Sequence, residues 1–259
     1  MKNLFDIRGK VAVITGAAGI LCSEMAKALA EAGVKVAILY LNAAKAEEIA
    51  AEIKQAGGVA MAVPVDVLDK TSLMAAREKV LAEYQQVDIL INGAGGNKKE
   101  ATTGPDQRIF DIPPEAIQWV FNLNFIGTVL ATQVFGEVMT KQGEGVIINI
   151  SSMAAFRPLT NTLSYSAAKA AISNFTQWMA VHFNQNYSPK IRVNAIAPGF
   201  FLTEQNRFLL TEKETGALTP RGEAVVSHTP MKRLGTPDEL IGTLIWLVSD
   251  GAQFVNGAI

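Results

Sequence analysis

Apolar, β-branched runs alternate along the chain with amphipathic stretches of helix-forming residues. The apolar runs predict buried strands at residues 10–15, 34–41, 59–65, 87–92, 145–151 and 191–197, because strands covered on both faces are apolar throughout. The other stretches predict helices at residues 23–32, 43–56, 71–84, 113–140, 164–186 and 238–249. Strands that alternate with helices are typical of a parallel sheet. We therefore predict an α/β fold: a Rossmann-type doubly wound parallel sheet, with helices on both faces, in a single domain spanning residues 1–259.

Two connections are much longer than the rest, at residues 93–112 and 198–230. Connections of this length inside a compact domain are usually functional. In open parallel sheets, ligands bind at the carboxyl ends of the strands. The residues that directly follow each strand are therefore the first candidates for a binding site.

A glycine turn follows the first strand and precedes a helix, and it contains Thr15, Gly16, Gly19 and Ile20. Backbone N–H groups at such a turn and at a helix N-terminus bind anions such as a pyrophosphate. Neither G-x-G-x-x-G nor a P-loop is complete here, so a purely structural turn is the alternative.

The next strand ends extend this candidate site. Tyr40 stands where an acid usually contacts the ribose hydroxyls of NAD, and no arginine beside it would bind a ribose phosphate. Asp66, followed by Val67, either accepts a hydrogen bond from an adenine amino group or caps the next turn. The segment after the fourth strand is rich in glycine, which lets the backbone approach a ligand closely. It contains Asn92, Gly93 and Ala94.

Candidate catalytic chemistry is concentrated in residues 152–169. Tyr165 and Lys169 are four residues apart, so they share one face of a helix. An ammonium group nearby favours a phenolate and lowers the pKa of a tyrosine. Ser152, brought close by a loop, would share a hydrogen bond to the same substrate oxygen, and this group would serve proton transfer at an alcohol or a carbonyl. Asn124 is unusual inside a predicted helix; it either bonds locally or holds a water or a lysine.

The composition restricts the class of protein. Hydrophobic residues make up 49% of the chain and charged residues 18%, so a large core is expected and disorder is not. The net charge is −1 and the chain has one cysteine, Cys22, which favours a reducing compartment. We expect a soluble, cytoplasmic protein with no membrane span and no nucleic-acid partner. No cluster has metal-ligand spacing, so we expect no metal.

Six ordered motifs resemble those of the short-chain dehydrogenase/reductase family. TGAAGIL is similar to its T-G-x-x-x-G-x-G turn, INGAGG to N-N-A-G, and FNLN to the catalytic-asparagine helix. INISSM resembles the segment with the catalytic serine, YSAAK the Y-x-x-x-K pair, and NAIAPGFFLT the P-G-x-x-x-T segment. The resemblance implies a catalytic tetrad and a nicotinamide cofactor, NAD or NADP. The tetrad would be Asn124, Ser152, Tyr165 and Lys169, and the last motif would add Pro198, Gly199 and Thr203 to the cofactor site.

In the roles that the family implies, Tyr165 is the acid/base and Ser152 steadies the substrate oxygen. Lys169 lowers the pKa of the tyrosine and binds the nicotinamide ribose, while Asn124 orders a water in a proton relay. The family also implies a homotetramer or a homodimer. Three positions depart from its patterns: Ile20 and Cys22 replace glycines, and Tyr40 replaces the acid that selects NAD.

Four longer stretches are GILCSEMAKALAEAG, INGAGGN, SAAKAAISNFTQWMAVHF and APGFFLTEQNR. They resemble the D-mannonate oxidoreductase (fructuronate reductase) branch of this family. That likeness implies a sugar-acid substrate, most simply the D-mannonate/D-fructuronate pair. A buried carboxylate needs a cation or well-placed donors, and the loops carry candidates at Asn97, Lys98, Arg157 and Arg207. A gluconate-type enzyme or a 3-oxoacyl reductase is the alternative within the family. A nicotinamide-binding sensor without catalysis is the alternative outside enzymes.

Overall fold

The architecture was obtained as a computed structural model, which describes residues 3–202, 207 and 210–259. Within these residues the strands form one parallel sheet in the order β3-β2-β1-β4-β5-β6. The strands are β1 Val11–Thr15, β2 Lys35–Tyr40, β3 Val59–Pro64, β4 Ile89–Asn92, β5 Gly145–Ile150 and β6 Ile191–Ile196. The strand order reverses between β1 and β4, which is the point where doubly wound sheets bind their ligands.

Helices connect these strands. They are α1 Ile20–Glu31, α2 Ala43–Gln55, α3 Lys70–Tyr84, α4 Pro114–Phe121, α5 Gly127–Gln142, α6 Leu163–Asn186, α7 Pro220–His228 and α8 Ile241–Val248. No helix among the described residues combines the length and the apolar character that a membrane crossing requires.

Alternate strand residues face opposite sides of the sheet and build two cores. Ile14 and Ile38 pack with α1, α2 and α8 on one face. Val13 and Leu39 pack with α3, α5 and α6 on the other face. Both faces are covered, so the strands are apolar throughout. The predicted doubly wound sheet with helices on both faces is confirmed.

The structure differs from the predicted elements in four places. The helix α1 begins at Ile20 rather than at residue 23, because Gly19 serves as its N-cap and nothing after it breaks the helix. The helix predicted at 113–140 contains a π-helical turn, Asn122–Ile126. The second long connection contains α7, which opens at Pro220 behind the cap Thr219. The last predicted helix begins as a 3₁₀ turn, Pro237–Leu240, and continues as α8.

Candidate active site

A cleft of about 580 Å³ lies at the carboxyl end of the sheet, beside the switch between β1 and β4. Its walls come from the segments that follow several strands, as the sequence predicted. The predicted residues in its lining are Gly16, Gly19, Ile20, Tyr40, Asp66, Val67, Gly93, Ala94, Tyr165, Lys169 and Gly199. One cleft therefore joins the candidate cofactor residues to the candidate catalytic pair.

Three predicted cofactor residues lie behind this lining and support it. The hydroxyl of Thr15 accepts hydrogen bonds from the backbone N–H groups of Gly93 and Ala94, at 3.2 and 3.3 Å. Asn92 is buried and donates from Nδ2 to Thr132 and Asn149. Thr15 and Asn92 therefore support the segments that form the wall of the cleft.

Pro198 is also buried behind the lining, and its carbonyl accepts a hydrogen bond from the N–H of Met153 at 3.0 Å. This bond ties the segment after β6 to the segment that carries Ser152. Thr203, the remaining predicted cofactor residue, lies outside the described residues.

The glycine turn after β1 is packed tightly against the segment after β4. Gly16 has φ +67, and a Cβ on it would lie 2.7 Å from the backbone of Ala94. Only glycine fits both that conformation and that contact. Gly19 caps α1 without a side-chain hydrogen bond, so the first N–H groups of α1 face this turn with no side-chain cap.

Tyr40 and Asp66 lie at one end of the cleft. Tyr40 is half-buried at the end of β2, and Asp66 is exposed after β3. Oδ1 of Asp66 accepts a hydrogen bond from the N–H of Leu68 at 2.9 Å. Asp66 thus caps its own turn, one of its two predicted roles, while it also lines the cleft.

Tyr165 and Lys169 lie at the other end, one turn apart on α6. Lys169 is 4% exposed, and its Nζ donates a 2.8 Å hydrogen bond to the carbonyl of Ile150. Nζ lies 5.5 Å from the centre of the Tyr165 ring. Ser152 follows β5, and its hydroxyl lies close enough to Tyr165 to act on the pKa of that tyrosine. The structure therefore brings the predicted serine, tyrosine and lysine together.

Burial dominates the titration of this group. It raises the pKa of Tyr165 above its usual value, while the hydrogen bond with Ser152 acts in the lowering direction. Burial also lowers the pKa of Lys169 to about 8, which the neighbouring Cys22 opposes weakly. The lowering of the tyrosine pKa that the family resemblance assigned to Lys169 stays a prediction.

Asn124 is fully buried and reaches the site through the π-helical turn. Its Nδ2 donates to the carbonyls of Gly96 at 2.7 Å and Val120 at 2.8 Å, and its Oδ1 accepts from the N–H of Gly96 at 3.2 Å. A Cβ on Gly95 would lie 2.5 Å from Oδ1 of Asn124 and 3.3 Å from Nζ of Lys169. The side chain of Asn124 therefore fixes the segment after β4 directly above the lysine.

The four predicted substrate residues lie outside the lining of the cleft. Nδ2 of Asn97 donates to Thr102 at 3.0 Å, and Nζ of Lys98 lies 5.1 Å from the centre of the Trp119 ring. Arg157 and Arg207 are exposed. Over the described residues, the lining of the cleft contains none of the four, so their convergence on the substrate stays a prediction.

Sequence reasoning missed several lining residues, most of them apolar. They are Leu21, Cys22, Leu39, Leu41, Gly95, Gly96, Leu123, Ile150, Phe200 and Phe201. Each lies within two residues of a predicted site position, so adjacency to a strand end was the available signal. Phe200 and Phe201 enter because their segment pairs with Gly235, with Leu202 donating to its carbonyl at 2.8 Å.

These features fit a dinucleotide. The strand order places Tyr40 and Asp66 at one side of the cleft and the tyrosine–lysine pair at the other. Between them lie the glycine turn and the N-terminus of α1, which suit a pyrophosphate. A buried ammonium group at the catalytic end needs a polar partner beyond one carbonyl, and ribose hydroxyls would supply it.

Three comparisons place the chain among known proteins. Residues 10–214 match the family described as short chain dehydrogenase. An uncharacterised oxidoreductase, UxuB, from Bacillus subtilis is 49% identical over 97% of this chain and 92% of that protein. The 7alpha-hydroxysteroid dehydrogenase of Escherichia coli is 34% identical over 100% of this chain and 95% of that protein.

A solved structure gives the same result. A provisionally assigned D-mannonate oxidoreductase from Haemophilus influenza, crystallised with bound NAD, superposes with a TM-score of 0.91 and 44% identity, covering 98% of this chain and 93% of that chain. The match extends over the whole sheet and both long connections. Together with Tyr165 and Lys169 in the lining of the cleft, these findings show that the chain belongs to the short-chain dehydrogenase/reductase family and is an oxidoreductase that acts on hydroxyl groups.

Proposed function

We propose that this protein is an NAD-dependent oxidoreductase that interconverts D-mannonate and D-fructuronate. The observation that carries the proposal is the likeness to the NAD-bound Haemophilus protein assigned to D-mannonate, which extends over 98% of this chain. The tetrad supplies the chemistry that this reaction needs, because it can exchange a proton with an oxygen atom at the end of a dinucleotide-sized cleft.

In the reducing direction, the nicotinamide cofactor supplies a hydride to the carbonyl carbon of the substrate. Tyr165 donates its hydroxyl proton to the carbonyl oxygen, so that the C=O bond becomes CH–OH. Ser152, whose hydroxyl acts on the pKa of Tyr165, holds that oxygen in line. Lys169, the buried cation one turn away, stabilises the phenolate that Tyr165 becomes and binds the ribose. Asn124 keeps the segment after β4 in place and orders the water that returns the proton.

Cofactor choice is set at the other end of the cleft. Tyr40 offers no carboxylate to bind ribose hydroxyls or to repel a 2′-phosphate. We therefore propose that NAD is used and that discrimination against NADP is weak. We also propose that the protein is a homotetramer or a homodimer, as its family resemblance implies.

A substrate panel tests the proposal. The purified protein would be mixed with NADH or NADPH and with D-fructuronate, a keto-gluconate, a 3-oxoacyl thioester or no ketone, and the nicotinamide absorbance followed. We expect fructuronate to give at least ~10-fold higher kcat/KM than the other ketones, about 1.4 kcal/mol. Oxidation with only a keto-gluconate or an oxoacyl thioester would establish the alternative enzyme. NADH binding without turnover of any ketone would establish a sensor.

The polar residues of the two long connections and of the loop after β5 are candidates to bind the substrate carboxylate. We propose that at least one of Asn97, Lys98, Arg157 and Arg207 binds the substrate carboxylate once a ligand is present. An arginine suits this task best because its planar fork contacts both carboxylate oxygens. Arg157→Ala and Arg207→Ala should raise the KM for fructuronate by at least ~10-fold and leave the KM for a neutral ketose unchanged. Arg221→Ala, an exposed arginine of α7, is the control. Unchanged KM values in both variants and in Lys98→Ala would place the carboxylate elsewhere.

A further inference from the structure

Cys22 and Gly93 contact each other at the floor of the cleft. Cys22 is the third residue of α1 and is 5% exposed, and Gly93 directly follows β4. A Cβ on Gly93 would overlap Sγ of Cys22 and would lie 2.9 Å from the carbonyl of Thr15. The φ of Gly93 is not in the left-handed region. Gly93 is therefore required by the space that Cys22 fills and by the nearby carbonyl of Thr15, and not by its backbone conformation.

The same two positions depart from the family patterns in opposite directions. The T-G-x-x-x-G-x-G turn has glycine where this chain has Cys22, and N-N-A-G has asparagine where this chain has Gly93. Compared with the family patterns, this chain therefore lacks a side chain after β4, at Gly93, and has an additional side chain on α1, at Cys22. Since interiors are close-packed, a side chain at both positions would clash and a side chain at neither would leave a cavity.

We infer that Cys22 and Gly93 are an exchanged pair, in which Cys22 supplies the packing volume under the cofactor cleft and positions the turn after β4 and Lys169 for the cofactor. Cys22, Gly93 and Lys169 all line the cleft. Cys22 and Lys169 also lie close enough to influence each other's charge. The inference rests on the proposed function in one respect, that the cleft binds a nicotinamide dinucleotide.

The pair predicts coupled rather than additive effects. Gly93→Ala should weaken NADH binding by at least ~10-fold and lower the melting temperature, because the new methyl group meets Sγ of Cys22. Cys22→Gly should weaken both more mildly, because it leaves a cavity. In the double variant Cys22→Gly/Gly93→Ala the methyl group gains space, so most of the affinity lost in Gly93→Ala should return. The contact with the Thr15 carbonyl remains, so recovery should be incomplete.

The measurements are NADH affinity by fluorescence titration and melting temperature with and without NADH. Gly104→Ala is the matched control, because a Cβ on this exposed glycine of the same connection would contact nothing within 4 Å. Cys22→Ala removes the thiol but keeps the Cβ, so its NADH affinity should lie between those of the parent and Cys22→Gly, as expected if packing volume is what matters. If the double variant loses as much NADH affinity as the two single variants together, Cys22 and Gly93 are not coupled and the inference is wrong.

The thiol itself gives a further measurement, because Cys22 is the one cysteine of the chain. Its reaction with a thiol reagent should be slow in the parent, slower with NADH bound, and faster in Gly93→Ala than in Gly104→Ala. Equal labelling rates in these two variants would contradict the contact. If the parent does not bind NADH, the proposed function is wrong. If the melting temperatures measured without NADH are still coupled in that case, the packing pair is supported on its own.

Discussion

Tyr165 and Lys169 show how burial sets the chemistry of single residues in this protein. Tyr165 is half-buried, which raises its pKa, and Ser152 is the group that offsets this. A neutral tyrosine hydroxyl is the form that donates a proton during reduction of a ketone. The site therefore holds Tyr165 in its protonated, neutral form. The pKa of Lys169 is lower than that of a free lysine, so its ammonium group loses its proton more easily.

At this scale we predict that Tyr165→Phe lowers kcat at least ~100-fold, the usual contribution of a general acid. The ring and its packing against Ala101, Ala116 and Val120 remain, so the affinity for NADH should change little. Steady-state rates and a fluorescence titration measure the two effects. Tyr84→Phe, in the core beside α5, is the control. A near-normal kcat would remove Tyr165 from the mechanism.

Lys169 gives a prediction on pH and stability. Burial lowers its pKa in the folded protein to about 8, from an ordinary value of 10.5. The folded state therefore binds this proton more weakly than the unfolded chain, which costs stability at neutral pH. The cost, roughly 3 kcal/mol as an upper bound, is fully present below the folded pKa and is lost as the pH rises towards the ordinary value.

Lys169→Met removes this cost, so its free energy of unfolding relative to the parent should decrease between about pH 7 and about pH 9.5. Urea unfolding at several pH values measures the difference. Lys79→Met, at an exposed position of α3, should show no such trend. A pH-independent difference for Lys169→Met would mean that the lysine is not desolvated in the folded protein.

At the scale of elements, the interrupted helix between α4 and α5 is the most informative. A π-helical turn carries one more residue than an α-helical turn, and such turns are frequent at functional sites. Here the turn leaves the carbonyl of Val120 to be satisfied by Nδ2 of Asn124, at 2.8 Å. The hydroxyl of Thr128 bonds to the carbonyl of Asn124 at 2.8 Å. The irregular turn is thus stabilised by its own side chains while Asn124 reaches Gly96.

Asn124→Ala should destabilise the protein by about 1–3 kcal/mol, because it removes the side-chain hydrogen bonds to the backbone of Gly96 and Val120. It should also lower kcat, since the segment after β4 would no longer be held over Lys169. Thermal unfolding and steady-state kinetics check both effects. Asn122→Ala, in the same turn, is the control and should retain both properties. Unchanged unfolding of Asn124→Ala would show that these bonds do not hold the turn.

At the scale of the whole molecule, the two faces of the sheet differ in what covers them. A groove of about 590 Å³ runs between α5 and α6 and is lined by Phe175, Trp178, Met179 and Tyr187. Trp178 is 57% exposed and stacks on His182 at 4.6 Å. Large exposed aromatic side chains in a patch are typical of an association surface. This face is the candidate for the proposed homo-oligomer interface.

Trp178→Glu should therefore shift the protein towards monomers, because it places a charge on an apolar surface. Analytical ultracentrifugation would measure the shift, and Val59→Glu, an exposed residue at the start of β3, is the control. If the parent is an oligomer and Trp178→Glu remains one with the same affinity, the interface lies elsewhere.

The sequence alone determined the fold, because strand and helix periodicity and strand-end residues are local properties. The strand pattern predicted a parallel sheet. Tyr165 and Lys169 are four residues apart, so they lie on the same face of any helix that contains them. Ser152 could be assigned because it directly follows a strand that ends beside that helix. The glycine turn after β1 could be located, and Thr15, Asn92 and Pro198 could be placed near it.

Only the tertiary structure decided what depends on contacts between distant segments. The π-helical turn needs Gly96 as the partner of Asn124, which helix propensity cannot show. Thr15, Asn92 and Pro198 face the supporting layer because of their partners across the sheet. Lys98 lies over the ring of Trp119, although its position in the loop had predicted that it would line the cleft. The fit of Cys22 against Gly93 depends on a helix start and a strand end that lie 71 residues apart in the chain, so neither position alone could reveal it.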